Sequence, residues 1–162
     1  MKLLHLSDLH LGKKLDEFSL YEDQKYILQR IVQMICAKQP DCVLLAGDIY
    51  DKPVPPAEAV VLFDNFLNQL AELKVPVCII SGNHDSAERL AFGAQLMSGS
   101  GIHFAGSYNG EEQKLVFEDE FGRVNIFLLP FLKPAVVKHW APEEAAAEIT
   151  SYHDAVKYAV SQ

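Results

Sequence analysis

Apolar residues along the chain fall into three short runs, each followed by a longer stretch with helical patterning. Residues 2–6 (K-L-L-H-L), 42–46 (C-V-L-L-A) and 75–80 (V-P-V-C-I-I) have the length of strands. Between the first two, Ile27, Leu28, Ile31, Val32 and Ile35 recur at helical spacing, and Pro40 stops the helix. Between the second and third, Pro55 and Pro56 stand where a helix starts, and Val60, Phe63, Phe66, Leu67 and Leu70 form its apolar face. The order β-α-β-α-β predicts an α/β fold whose sheet begins parallel.

Further on, D-S-A-E at 85–88 offers an N-cap and a following glutamate for a third helix, with Asp85 as the cap. Residues 102–105 (I-H-F-A) read as a strand. Residues 114–129 read as a hairpin turning at D-E-F-G. From Pro142 the chain is alanine-rich and helical, with Ile149, Tyr152, Val156 and Ala159 on one stripe. No strand follows that helix, so the expectation is a chain cut inside a larger domain.

At 162 residues the chain fits one domain with a buried core. Its hydrophobic share of 49% and charged share of 22% are those of a globular protein. The formal net charge of -8 argues against a broad basic face for nucleic acid; a DNA substrate would need local positive charge, metal ions or a partner. Cys36, Cys42 and Cys78 lack C-x-x-C spacing and lie in apolar segments, which predicts reduced core thiols of a cytoplasmic protein. No signal peptide is visible in M-K-L-L-H-L-S-D, and no apolar run reaches the roughly 20 residues of a membrane span.

The chemistry gathers where each apolar run stops. The first ends in S-D-L-H-L-G, the second in A-G-D-I-Y-D and the third in S-G-N-H-D. On a strand, residues two apart share a face, so Asp8 and His10 are expected to point to one spot. Ligands of open α/β sheets collect beyond the carboxyl ends of the strands, which brings Asp8, His10, Asp48, Asn83 and His84 together. Gly47 and Gly82 allow tight turns and close backbone approach.

Each residue alone has a plainer reading. Asp48 and Asp85 would serve as turn or cap residues, Asn83 as a turn residue and His10 as a satisfied side chain. His5, His103, His139 and His153 have no motif around them and read as structural or solvated. What the plain readings explain badly is the recurrence at three successive strand ends. Carboxylate, imidazole and amide donors without cysteine suit Mn²⁺, Fe²⁺ or Zn²⁺. An aspartate such as Asp48 can bridge two ions about 3.5–4 Å apart, an arrangement that serves phosphate-ester hydrolysis.

D-L-H at 8–10, G-D-I-Y-D at 47–51 and G-N-H-D at 82–85 together resemble the first three motifs of the calcineurin-like metallophosphoesterases. The contexts H-L-S-D-L-H-L-G-K, A-G-D-I-Y-D-K-P-V-P-P and S-G-N-H-D-S-A-E-R-L are similar to those of its SbcD-type nucleases. The resemblance implies a β-sandwich flanked by helices and two divalent ions, Mn²⁺ in the first place. It gives Asp8 and His10 to the first ion, Asp48 as the bridge, Asn83 to the second ion and His84 as the catalytic residue facing the phosphate. Asp85 would be the cap that aims them, and the role of Asp51 stays open. Implied partners are DNA, an SbcC-type ATPase and a second copy of the chain.

The later family motifs do not appear. After residue 85 the only histidines are 103, 139 and 153, none preceded by glycine, and no capping domain follows. Residues 1–162 therefore read as the N-terminal part of a nuclease domain, expected to be inactive alone. Three readings stand: a metal-dependent DNA exonuclease and hairpin endonuclease of repair, another phosphatase or cyclic nucleotide phosphodiesterase, or a non-catalytic dimerisation module. For a homodimer, the expected surface is Val60, Val61, Leu62, Phe63, Phe66, Leu67 and Leu70 with Leu90, Phe92, Leu96 and Met97.

Overall fold

The computed structural model describes residues 1–162. Strand β1 (Leu3–Leu6) leads into a small hairpin, β2 (Lys14–Leu15) and β3 (Phe18–Ser19), then helix α1 (Tyr21–Lys38), β4 (Cys42–Ala46), α2 (Ala57–Glu72) and β5 (Val77–Ile80). Short helices α3 (Ala87–Leu90) and α4 (Ala94–Ser98) precede β6 (Ile102–Ala105). The hairpin β7 (Gln113–Asp119) and β8 (Gly122–Leu128) follows, then α5 (Pro134–Trp140), α6 (Glu143–Glu148) and α7 (Tyr152–Val160).

Strands β1, β4, β5 and β6 form one parallel sheet in the order β1-β4-β5-β6. Its register pairs Leu6 with Leu45, Ala46 with Ile80 and Ile80 with Ala105, so the strands stop along one edge. Strands β4 and β5 are covered on both faces, which is why they read as unbroken apolar runs, whereas the edge strand β1 leaves Leu3 and His5 exposed. Val43, Leu45, Val77, Ile79, Ile102 and Phe104 pack with α1 and α2 on one side. The alternate residues Cys42, Cys78 and Ala105, with Leu44 and Ile80, face Leu115, Phe117, Ile126 and Leu128 of the β7–β8 hairpin. This second layer of strands makes the sandwich half of the fold. A third cluster, Tyr108, Leu132, Val137, Ile149, Ala155 and Ala159, closes the C-terminal helices on themselves.

Several expectations need correction. The helix after Asp85 is two pieces, interrupted at Gly93, whose φ of 77° is left-handed. Cys42 and Cys78 are buried, but Cys36 is exposed, because it lies one position past the inward-facing Ile35 and so about 100° around the helix. Ile27 is turned outward for the same reason, one step before the buried Leu28. Of the C-terminal stripe only Ile149 and Ala159 are buried. Tyr152 and Val156 face out, and the packed pair is Ala155–Ala159, small enough to let α7 approach α5 closely. On α2, the residues Leu62, Phe63, Phe66, Leu67 and Leu70 are consumed by the chain's own core, leaving Val60 and Val61 exposed; Phe92 and Leu96 of the following segment are exposed as well. No helix is long and apolar enough to cross a membrane.

Candidate metal centre

The three motif loops leave the sheet side by side. Main-chain pairing carries past the strand ends: Asp8 N–H donates to the Gly47 carbonyl (3.2 Å), His10 N–H to Asp48 (2.9 Å) and Leu11 N–H to Ile49 (2.8 Å). Asp8 and His10 are brought together, but not by the strand alternation expected of them. The strand ends at Leu6, and Asp8, His10 and Asp48 take left-handed backbone with φ of 56°, 43° and 51°. Such conformations cost roughly 1–3 kcal/mol each and persist only where the surroundings enforce them. Here the interloop hydrogen bonds do so.

Gly47 and Gly82 let the second and third loops touch. A β-carbon on Gly47, itself at φ 83°, would fall 2.8 Å from Gly82 Cα, closer than real side chains come.

His10 sits among carboxylates. Its Nε2 lies 3.7 Å from Asp8 Oδ1 and 3.8 Å from Asp48 Oδ2, and its Nδ1 lies 3.7 Å from Asp51 Oδ1. These gaps are too long for hydrogen bonds, and the buried Nδ1 has no partner. Ligands bonded at about 2.0–2.2 Å to one ion stand somewhat over 3 Å apart, so a modest closure of His10, Asp8 and Asp48 would enclose a cation. Three converging aspartates meet one ammonium group, Lys13 Nζ, 3.9 Å from Asp51. The donor set therefore fits a divalent metal ion.

His84 completes the cluster. Donor atoms of His10, Asp48 and His84 all lie within 4.8 Å of one another, and the rings of His10 and His84 meet edge to face at 4.9 Å. His84 N–H donates to Asp48 Oδ1 (3.0 Å), and its Nδ1 is 2.9 Å from the Asp51 carbonyl. A carbonyl can only accept, so Nδ1 carries a proton in this contact and Nε2 is the ring nitrogen left for the site. Asn83 is exposed on the same loop and lines an adjoining cavity. His103, His139 and His153 lie outside the cluster.

Two positioning residues emerge from the structure. Asp85 is not the cap of α3: Ser86 occupies that place. Its buried carboxylate instead accepts from Ile49 N–H (3.2 Å), Tyr50 N–H (2.9 Å) and Gly82 N–H (2.9 Å), tying the second motif to the third. Burial, with the charges of Asp85 and then Asp64, pushes the Tyr50 phenol up to about 12. Gln24 on α1, which sequence reasoning missed, holds the first motif. Its Nε2 donates to the His10 carbonyl (2.7 Å) and its Oε1 accepts from Gly12 N–H (3.0 Å). The available signal was a glutamine four residues before Leu28, on the stripe that faces the core.

The pattern of the calcineurin-like phosphoesterase family matches residues 1–154. The chain belongs to that family. It is 34% identical over 163 residues to the SbcD component of the nuclease SbcCD of Staphylococcus epidermidis (strain ATCC 12228 / FDA PCI 1200), a match that covers 100% of this chain and 42% of that protein. The chain thus spans less than half the length of that relative.

Proposed function

We propose that residues 1–162 are the N-terminal part of a metal-dependent DNA phosphodiesterase, the nuclease component of a DNA-repair complex. The observation that carries this reading is the convergence of His10, Asp48 and His84, with Asp8 beside them, in a phosphoesterase chain similar to a nuclease component. In this reading Asp8 and His10 would hold one Mn²⁺ ion and Asn83 a second, with Asp48 the carboxylate available to both. The pair of ions would supply charge neutralisation at the phosphorus and an acidified water. His84, its Nδ1 held by the Asp51 carbonyl, would present Nε2 to the phosphate; as the imidazolium, with Nε2 also protonated, it would give that proton to the leaving oxygen or offset the oxygen's developing charge.

His103, His139 and His153 do not reach the cluster, which supports the further proposal that the remaining metal ligands belong to another part of a longer protein. Residues 1–162 alone would then be a folding and dimerisation module without turnover. The name of the similar nuclease supports an SbcC-type ATPase partner. The outward-facing Val60, Val61, Phe92 and Leu96 support a homodimer, and the reduced pair Cys42 and Cys78 suits the cytoplasm.

The test is release of nucleotides from linear duplex DNA by the full-length protein in Mn²⁺, with Asp48→Ala as control. Degradation abolished by the substitution is expected. Hydrolysis of a cyclic nucleotide or phosphoprotein with DNA left intact would replace this reading with that of another metallophosphoesterase.

A further inference from the structure

Beside Asn83 a cavity of about 270 Å³ opens between the third motif loop and the segment leading into α5. Asn83, Ser86, Ser107, Phe131 and Lys133 contribute to its walls. The metal and leaving-group roles proposed above use only the first of these. Lys133 is exposed and takes part in none of the ion pairs of a chain that has 22 acidic residues and 14 basic ones. The nearby carboxylates are otherwise engaged. Asp85 accepts three main-chain N–H groups, and Glu88 accepts from Ser86 Oγ (3.1 Å).

Phe131 forms the aromatic part of the wall. The residue is 38% exposed, and its ring packs on Tyr152 at 5.6 Å with a tilt of 36°. Its N–H donates to the Ser81 carbonyl (2.9 Å), the residue that opens S-G-N-H-D, so the ring is anchored to the same loop that presents Asn83 and His84. A free ammonium group, hydroxyls and a backed aromatic face are the parts from which single-stranded nucleic-acid sites are built. The volume is close to the roughly 300 Å³ at which small-ligand pockets begin, room for about one nucleotide.

We infer that this cavity seats the nucleotide next to the scissile phosphodiester. Lys133 Nζ binds a backbone phosphate oxygen, and Phe131, supported by Tyr152, stacks on that nucleotide's base. A base stacked within a duplex does not offer its face, so the strand is locally unpaired where it enters. Lys133 also supplies local positive charge, which an acidic chain lacks as a broad face. The inference rests on the phosphodiesterase reading and adds the substrate contacts that the reading leaves open.

The test uses the full-length protein with Lys133→Ala, Lys133→Arg and Phe131→Ala. Binding of labelled oligothymidylate is measured in Ca²⁺ over a range of salt, and hydrolysis in Mn²⁺ is compared between oligothymidylate and bis(p-nitrophenyl) phosphate, a diester with no neighbouring nucleotide. Lys133→Ala should weaken oligonucleotide binding about 5- to 10-fold and reduce the salt slope by about 0.7, with Lys133→Arg restoring both. Phe131→Ala should weaken it by about 5-fold or more. In both alanine variants kcat/KM should fall more for the oligonucleotide than for the small diester. The inference is overturned if affinity and salt slope do not change, if both substrates suffer equally, or if the unaltered protein does not bind the oligonucleotide. An unaltered protein that binds the oligonucleotide but hydrolyses neither substrate would sink the phosphodiesterase reading instead, while the binding arm still decides the cavity.

Discussion

Gly82 lies directly against Asp48: a β-carbon on the glycine would come within 2.8 Å of Asp48 Cγ and closer still to its Oδ1 and main-chain nitrogen. The contact joins the second and third motifs without an intervening side chain. Gly82→Ala must therefore displace the Asp48 carboxylate or the loop that carries it. The expected result is a loss of roughly 1–3 kcal/mol of stability, as for other overpacked sites, together with weaker Mn²⁺ binding. Thermal unfolding and calorimetric titration read the two effects. A variant matching the original protein in both would show that the loops have slack.

Asp85 serves the same junction from below. Asp85→Ala leaves the N–H groups of Ile49, Tyr50 and Gly82 without their acceptor, which at about 1–3 kcal/mol per unsatisfied group should cost at least about 3 kcal/mol in urea denaturation. The milder Asp85→Asn has a spectroscopic signature. Burial raises the Tyr50 phenol most, and the Asp85 charge raises it further, to about 12. Removing that charge should move tyrosinate formation at Tyr50 to lower pH, back toward the ordinary phenol value. An ultraviolet pH titration that leaves the highest tyrosine step in place would show that the carboxylate charge does not reach the ring.

The framework was legible because the central strands β4 and β5 are covered on both faces. Unbroken apolar runs such as Cys42–Ala46 can be buried on two sides, and the helices between them carry clear stripes. The loops were legible as a constellation, since their side chains are the ones chemistry needs, but not as geometry. Asp8 and His10 converge through left-handed backbone that no alternation rule describes. The role of Asp85 was hidden because a cap and an interloop clamp use the same residue type, and only burial tells them apart. The C-terminal helices misled for a different reason: Ala155 and Ala159 pack by being small, whereas hydrophobicity draws the eye to Tyr152 and Val156.

Asp48 and His84 share a cluster but should separate by function. Asp48 lies against both His10 and the His84 main chain, so under the proposed function Asp48→Ala would remove the bridging carboxylate and should abolish tight Mn²⁺ binding. His84→Ala should keep most metal affinity in the full-length protein yet slow hydrolysis by about 10²-fold, the usual loss for a general acid or oxyanion donor. Calorimetry showing equal loss of manganese in both variants would make His84 a ligand rather than the residue that acts on the phosphate.

The last turn-forming segment provides a pH test remote from the metal cluster. Asp154 Oδ2 accepts from Ser151 Oγ (2.8 Å), Thr150 Oγ1 (2.9 Å), and the main-chain N–H groups of Thr150 (3.0 Å) and Ser151 (2.9 Å), completing a capping box at the start of α7. The Ser151 hydroxyl, then the Thr150 hydroxyl and N–H, hold its carboxyl down at about 2, against an ordinary value of 3.8. A depressed folded-state pKa means that the stabilisation is fully present above about pH 4–5 and drains away as the pH falls toward 2. Asp154→Asn has no such proton to gain. Its unfolding free energy, measured by urea between pH 5 and 2, should decline less steeply than that of the original protein. Asp119, held down chiefly by the Met1 ammonium group, also contributes to acid loss in both proteins, so the difference between the curves is the quantity that isolates the cap. Parallel curves would mean that the box is equally strong with a protonated carboxyl, and that its four hydrogen bonds do not depend on the charge.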